Sequence, residues 1–360
     1  MARIGILTTD NASERNMEHI VFRIANILSA KHDIDLVGLY NASPRIKETF
    51  SIFAPESLKP RKGFLGIRDK IRLLRRYTAA KDPDCLMAVS GIGMNGLSVA
   101  IAGKFLRKYT IVRVTSDIFE VYKYKHPILK QIRLFFKNNI AGRLAIHLAD
   151  RTVLLHKAQL KQFLEWGYPA EKFYVVSQPI SFPEVDEKMS RSNSRERLGI
   201  PQDAFVLGYF GRIDKDKNIP LLIKTANLVL DKNPKAMFLA VGDGSERETL
   251  EAGLNTKKAV FTGQLAHTQL PLYYLACDAT LHTSFSEGLS NVIAESLYFG
   301  IPVVSSDSGP ITRSLVSNIG KNADQLAAIL LAGNMASNSL PAELREHENA
   351  ARWLNLIDKS

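Results

Sequence analysis

Glu287 and Glu295, with seven residues between them, are the side chains of this sequence best placed to do chemistry. Residues 284–288 read as a turn. Residues 291–299 carry Val292, Ile293, Ser296 and Leu297 at helical spacing, and Gly300 stops them. The first carboxylate therefore lies on the turn, beside Gly288 and Leu289, and the second lies in the helix. Backbone N–H groups near Ser290 and Asn291, at the helix start, can receive an anion, and carboxylates accept hydrogen bonds from vicinal hydroxyls. Together these groups suit a phosphorylated sugar.

A second group lies upstream. Gly211 and Arg212 follow the apolar run 205–210, and Lys217 stands five residues after Arg212, before the helical stretch 220–230. A strand, a glycine turn and two cations at a helix start make a diphosphate site. The glycine lets backbone close in, and the cations neutralise charge as a leaving group departs.

The elements that must position these groups alternate. Strands are expected at 3–8, 34–40, 85–89, 110–114, 152–155 and 173–176, with helices near 17–28, 95–107, 128–147 and 157–166. Further strands are expected at 205–210, 237–241, 279–282 and 301–304. Strands alternating with helices mean α/β architecture with doubly wound sheets, which bind ligands beyond the carboxyl ends of their strands. A chain of 360 residues, 46% apolar, holds roughly two domains. No run approaches the roughly 18 apolar residues of a membrane span, and the first strand is too short for a signal-peptide core. Cys85 and Cys277 read as reduced core residues of a cytosolic protein.

The run from His282 to Gly309, with Glu287, Glu295 and Gly300-Ile301-Pro302-Val303-Val304 in order, resembles the donor-site signature of retaining GT-B glycosyltransferases, family 4. The resemblance implies that Glu287 contacts the transferred sugar and that Glu295 holds the nucleotide ribose. Gly211, Arg212 and Lys217 match the family's Gly-Arg…Lys pattern. Gly242, Gly244, Gln264 and Leu265 match in position, and the backbone beside Gln264 and Leu265 is implied to take the nucleobase edge. In the first half, Asp117 stands where the family has the Asp of a His-Asp pair, and Ser116 replaces the His. The turn 9–16 lacks the glycines that family members usually have there. Glu287, Arg212, Lys217 and Asp117 are thus the expected catalytic residues.

The resemblance further implies two Rossmann-like domains facing a cleft. The expected bounds are 1–180 for an acceptor domain, 181–203 for a polar linker, 204–340 for a donor domain and 341–360 for a helix crossing back, with Trp353 in its core contact. The implied reaction moves a sugar, with retention of configuration, from a nucleotide-diphosphate sugar to a glycan or lipid-linked acceptor in cell-surface polysaccharide assembly. UDP or GDP is the expected nucleotide. No cofactor is expected. The pairs Asp33/Asp35, Asp82/Asp84 and Asp214/Asp216 read as solvated turns, so no required metal is expected either. A sugar-nucleotide epimerase of the same fold, or a silent nucleotide-sugar-binding subunit, is the alternative.

Charge is unevenly divided. Residues 1–180 hold 29 basic and 15 acidic side chains, whereas 181–360 hold 18 and 21. Two basic amphipathic stretches, 64–77 and 123–143, carry much of the excess. Such helices lie well on an anionic membrane, which points to a peripheral protein on the inner membrane face. No zinc-finger spacing or ribonucleoprotein motif is present, so nucleic acid is not an expected partner.

Overall fold

A computed structural model describes residues 1–8, 20–58, 66–115, 119, 128–178, 180, 189–254 and 256–357. The chain divides into two compact units, Met1–Pro179 with Glu343–Ser360, and Ile180–Ala342.

The first unit is a parallel sheet of β1 (Arg3–Leu7), β2 (Asp33–Val37), β3 (Ser51–Phe53), β4 (Cys85–Ala88), β5 (Tyr109–Arg113), β6 (Arg151–Leu154) and β7 (Phe173–Val175). Their order is β3-β2-β1-β4-β5-β6-β7, so the winding reverses between β1 and β4. The strands read as near-continuous apolar runs because helices cover both faces. On one face, Ile4 and Ile6 share a buried cluster with Ile24 and Leu28 of the helix Phe22–Ser29 and with Trp353, Leu356 and Ile357. The last helix, Glu346–Asn355, therefore closes the core of the first unit, and the Trp353 indole N–H donates to the Ser177 carbonyl at 3.1 Å.

The two amphipathic stretches part company here. In the helix Ile67–Lys81, Leu73, Leu74 and Tyr77 are buried, and Ile67 packs against the same cluster. That apolar face is spent on the sheet, which corrects the expectation that this stretch, too, lies on a membrane. Asp35 also departs from its reading as a solvated carboxylate. It is buried, and the Tyr77 hydroxyl donates to it at 2.9 Å. Among the described residues no helix is long and apolar enough to cross a membrane.

The second unit contains β8 (Phe205–Phe210), β9 (Ala236–Val241), β10 (Ala259–Phe261), β11 (Ala279–His282), β12 (Val303–Ser306) and β13 (Asn318–Gly320), in the order β10-β9-β8-β11-β12-β13. All neighbours are parallel. Its winding reverses between β8 and β11. The loops leaving those two strands diverge to opposite faces, and that leaves a crevice at their carboxyl ends.

Part of the stretch expected to be a linker is a helix, Arg191–Leu198. The Ser190 hydroxyl caps it by accepting from the Asn193 N–H, and Gly199 ends it in the left-handed region. Its anchor is polar. Arg195 is buried, donating to Asp278 at 2.6 Å and to the carbonyls of Ala276 and Gln202. Arg191 pairs with the same Asp278, and a helix anchored by two arginines leaves no apolar period to read.

Candidate functional site

The crevice of the second unit is laced together before any side chain reaches into it. Two bonds join the loop after β8 to the loop after β11: the Phe285 N–H donates to the Asp216 carbonyl at 3.1 Å, and the Thr283 hydroxyl donates to the Lys217 carbonyl at 2.7 Å. The Glu287 N–H donates to the Ser308 carbonyl at 2.8 Å, tying in the loop after β12. Three strand ends thus fix the backbone of one short region.

Within it, the Lys217 ammonium is paired directly with Glu287 Oε1. The Ser284 hydroxyl donates to the same oxygen at 2.9 Å, and His282 Nε2 lies 3.8 Å away. Burial by itself would raise the Glu287 carboxyl. The contacts with His282 and Lys217 outweigh it and hold the group down at about 2. Glu287 is therefore ionised, weakly basic and only partly exposed, a carboxylate suited to accepting hydrogen bonds rather than protons. A carboxyl held below its ordinary value stabilises the fold above its unfolded-state pKa, and that stabilisation is lost as pH falls through the folded value. Urea titrations should accordingly show wild-type stability dropping between roughly pH 4.5 and 2, with Glu287→Gln distinctly flatter over that window; parallel curves would remove Glu287 from the titration.

His282, the last residue of β11, is buried behind this carboxylate. Its Nδ1 lies 3.1 Å from the Ser305 hydroxyl and its Nε2 3.3 Å from the Ser290 hydroxyl. It links the β12 end, the Glu287 turn and the residue that precedes the helix Asn291–Tyr298. Arg212 is more exposed and pairs with Asp214 and, at 3.3 Å, Asp216. Both expected cations are therefore held by carboxylates at the same crevice. Of the Asp214/Asp216 pair, read as solvated, Asp214 is the more engaged, since it also accepts from the Ser245 N–H at 3.0 Å, while Asp216 stays half exposed.

Glu295 lies deeper, 9% exposed. The Tyr274 hydroxyl donates to its Oε2 at 2.8 Å, and His267 Nε2 is 3.7 Å from Oε1. The Tyr274 ring is stacked on Phe210 at 3.8 Å and lies near-parallel to Phe299 at 5.2 Å. Burial, with the Glu295 charge beside it, pushes the Tyr274 phenol well up, so the phenol remains a donor. One oxygen of Glu295 is thus fixed from below, leaving the other the weaker His267 contact.

The glycines after β9 have an internal reason. Gly242 bridges Gly263, and at its φ of 141° a Cβ would stand 1.8 Å from the Gly211 carbonyl oxygen. A Cβ on Gly244 would meet the Ile213 carbonyl at 2.4 Å. Both let the loop after β8 lie directly on the loop after β9. Gln264 is exposed, and Leu265 packs against the cluster that holds Phe210, Tyr274 and Val292. Gly288, Leu289 and Ser290 are buried, and Asn291 opens the helix at the surface. Asp117 lies outside the described residues, as do Ser116 and the turn 9–16.

The structure thus brings Gly211, Arg212, Lys217, Glu287, Gly288, Leu289 and Ser290 to one crevice, with Glu295 beneath. His282 and Tyr274 were not singled out from sequence. Only the position of His282 at a strand end signalled it, and nothing local signals Tyr274. Among the described residues no group of three His, Cys, Asp or Glu side chains is arranged to hold a metal ion.

Two parallel sheets, each wound out from a central strand, with the final helix returned to the first, define the GT-B class of fold. The solved structure of Anabaena Alr3699/HepE in complex with UDP and glucose superposes with a TM-score of 0.70 at 20% identity, covering 100% of this chain and 99% of that one. Residues 190–329, within the second unit, match the model of the family Glycosyl transferases group 1. Among curated relatives, the sulfoquinovosyl transferase SQD2 of Arabidopsis thaliana is 36% identical over 166 residues, 45% of this chain and 32% of its own. The alpha-monoglucosyldiacylglycerol synthase of Acholeplasma laidlawii is 23% identical over 329 residues, 84% of this chain and 79% of its own. The chain spans about half the length of the first curated relatives it matches, 54% and 52% of two of them.

Proposed function

We propose that the protein is a retaining glycosyltransferase that takes a sugar from a nucleotide-diphosphate sugar, UDP or GDP, and passes it to a glycan or lipid-linked acceptor in polysaccharide or glycolipid assembly. The observation that carries this reading is the Lys217–Glu287 pair at the β8/β11 crevice, with Arg212 on the same loop. Cations suited to a diphosphate and a carboxylate suited to sugar hydroxyls meet where a doubly wound sheet binds its ligand.

In this reading the donor's diphosphate competes with Glu287, Asp214 and Asp216 for the Lys217 and Arg212 cations. Those cations then meet the charge that grows as the bond between the anomeric carbon and phosphate oxygen breaks, without a metal ion. Glu287 accepts from the sugar hydroxyls, and Glu295, braced by Tyr274, accepts from the ribose. The helix start after Ser290 adds its dipole to the anion. A carboxylate held at about 2 makes Glu287 a poor general base. The acceptor oxygen therefore bonds to the anomeric carbon on the face the phosphate leaves, and its proton passes to the departing phosphate oxygen. Asp117 is assigned to sugar or acceptor contact. The names of the relatives favour neither an epimerase nor a silent subunit.

The test is thermal shift against UDP, GDP, ADP and CMP. At about a hundred times the dissociation constant, the matching nucleotide should stabilise the fold by about 2.7 kcal/mol, and Glu295→Ala should weaken that shift. No shift with any of the four would end the reading.

A further inference from the structure

The helical run from 128 to 144 carries an apolar face that no other element among the described residues covers. Among the described residues, seven of the twelve exposed large apolar side chains fall within it. Ile128 is 72% exposed, Leu129 79%, Ile132 49% and Phe136 56%. A soluble surface seldom gathers so many in one place without a partner. Arg133 and Lys137 are exposed on the same run, and residues 123–143 contain six basic residues and no acidic one.

The run is firmly seated from behind. Asn138, Gly142, Ala145 and Ile146 are buried. The Asn139 side chain donates to the Phe119 carbonyl at 3.1 Å, and the Arg143 guanidinium lies 4.5 Å over the Trp166 ring. Its middle is a π-helical turn, Phe136–Gly142, packed on a second π-helical turn, Ile92–Gly96, that follows β4. The approach is close: a Cβ on Gly93 would stand 1.9 Å from the Lys137 carbonyl oxygen. The second turn lies at the β1/β4 reversal, the crevice of the first sheet. The apolar face and that crevice are thus two sides of one packed unit.

We infer that the 128–144 face docks on an anionic lipid bilayer, its apolar side chains entering the acyl boundary while Arg133 and Lys137 meet anionic headgroups. The choice of lipid over a second copy of this chain rests on charge. A symmetric pairing would set Arg133 and Lys137 against their own copies with no acidic residue on the run to offset them, whereas an anionic surface complements them. Apolar side chains flanked by cations without acids are the composition of a helix that lies in a membrane interface. Placing the first crevice beside the bilayer would favour a lipid-linked acceptor; that last step alone rests on the transferase reading.

Vesicle flotation of the full chain tests the docking. The probe is phosphatidylcholine vesicles with about a third phosphatidylglycerol, compared with phosphatidylcholine alone, at low salt. Wild type should float with the anionic vesicles and far less with the neutral ones. Arg133→Gln and Lys137→Gln should each weaken binding by about fivefold, the effect of about 1 kcal/mol per basic residue near an anionic surface. Ile132→Ser with Phe136→Ser should abolish flotation while leaving the first unit's urea transition, followed by far-UV circular dichroism, unchanged, which shows that the variant is folded. Three outcomes overturn the inference: no flotation of wild type, equal flotation with neutral vesicles, or a dimer in solution that the serine variant dissociates. Vesicle binding needs no donor, so failure of the transferase reading would leave this result standing, and the converse also holds.

Discussion

Lys217→Ala is expected to lower kcat for sugar transfer by about 10²–10³-fold, the usual cost of removing one preorganised donor from a developing oxyanion. The reason lies in how Lys217 is held. Its side chain is 19% exposed against 68% for Arg212, and its backbone carbonyl is pinned by Thr283. An ammonium in that setting is worth more to a departing phosphate than a guanidinium largely in water. Arg212→Ala should therefore cost less than Lys217→Ala. Lys217→Arg should recover only part of the rate, because a flat fork does not replace a compact ammonium beside Glu287. Single-turnover transfer, measured alongside nucleotide binding, separates the effects. A loss confined to binding would move Lys217 from leaving-group stabilisation to donor affinity. An unchanged kcat would remove it from the mechanism.

Trp353→Ala is expected to destabilise the first unit by about 3–5 kcal/mol. The indole is completely buried among Ile4, Ile24 and Leu28, and its N–H satisfies the Ser177 carbonyl. Truncation would leave both a cavity and an unpaired carbonyl. The second unit should be spared. Urea unfolding followed by far-UV circular dichroism should show the first unit's transition at lower denaturant while the nucleotide thermal shift persists. Equal loss in both units would mean that they unfold as one, and a change below about 1 kcal/mol would place the indole outside the core.

The site is legible in the amino-acid order where chemistry and local pattern coincide. Glu287, Glu295, Arg212 and Lys217 could be located because each stands in or just after a glycine-bearing turn that follows an apolar strand, features that survive in one dimension. The joining of Lys217 to Glu287 could be expected only from the rule that ligands sit where a sheet reverses, since 70 positions separate them. Tyr274 and His282 act through tertiary contact with Glu295 and Glu287, and no spacing announces either. Gly242 and Gly244 look like ligand-approach glycines in a sequence, yet their missing Cβ atoms are accounted for by neighbouring backbone. Strands β3 and β13, Ser51–Phe53 and Asn318–Gly320, make no continuous apolar run, unlike the equally short β7, so nothing in the sequence marks them as strands. The amphipathic stretches 64–77 and 123–143 read alike, and only packing tells them apart. One spends its apolar face on the sheet; the other keeps it outside.

The return of the last helix to the first core also sets an order of events during translation. Most chains complete their leading domain while the rest is still being made. Here the wall formed by Trp353, Leu356 and Ile357 is encoded after the whole of Ile180–Ala342. The second unit, written in one uninterrupted stretch, can close while the first still lacks part of its interior. Until those last turns emerge from the ribosome, Ile24 and Leu28 on the helix Phe22–Ser29 lack the Trp353 side of their core, and the apolar surface left open belongs to the beginning of the chain rather than to its end.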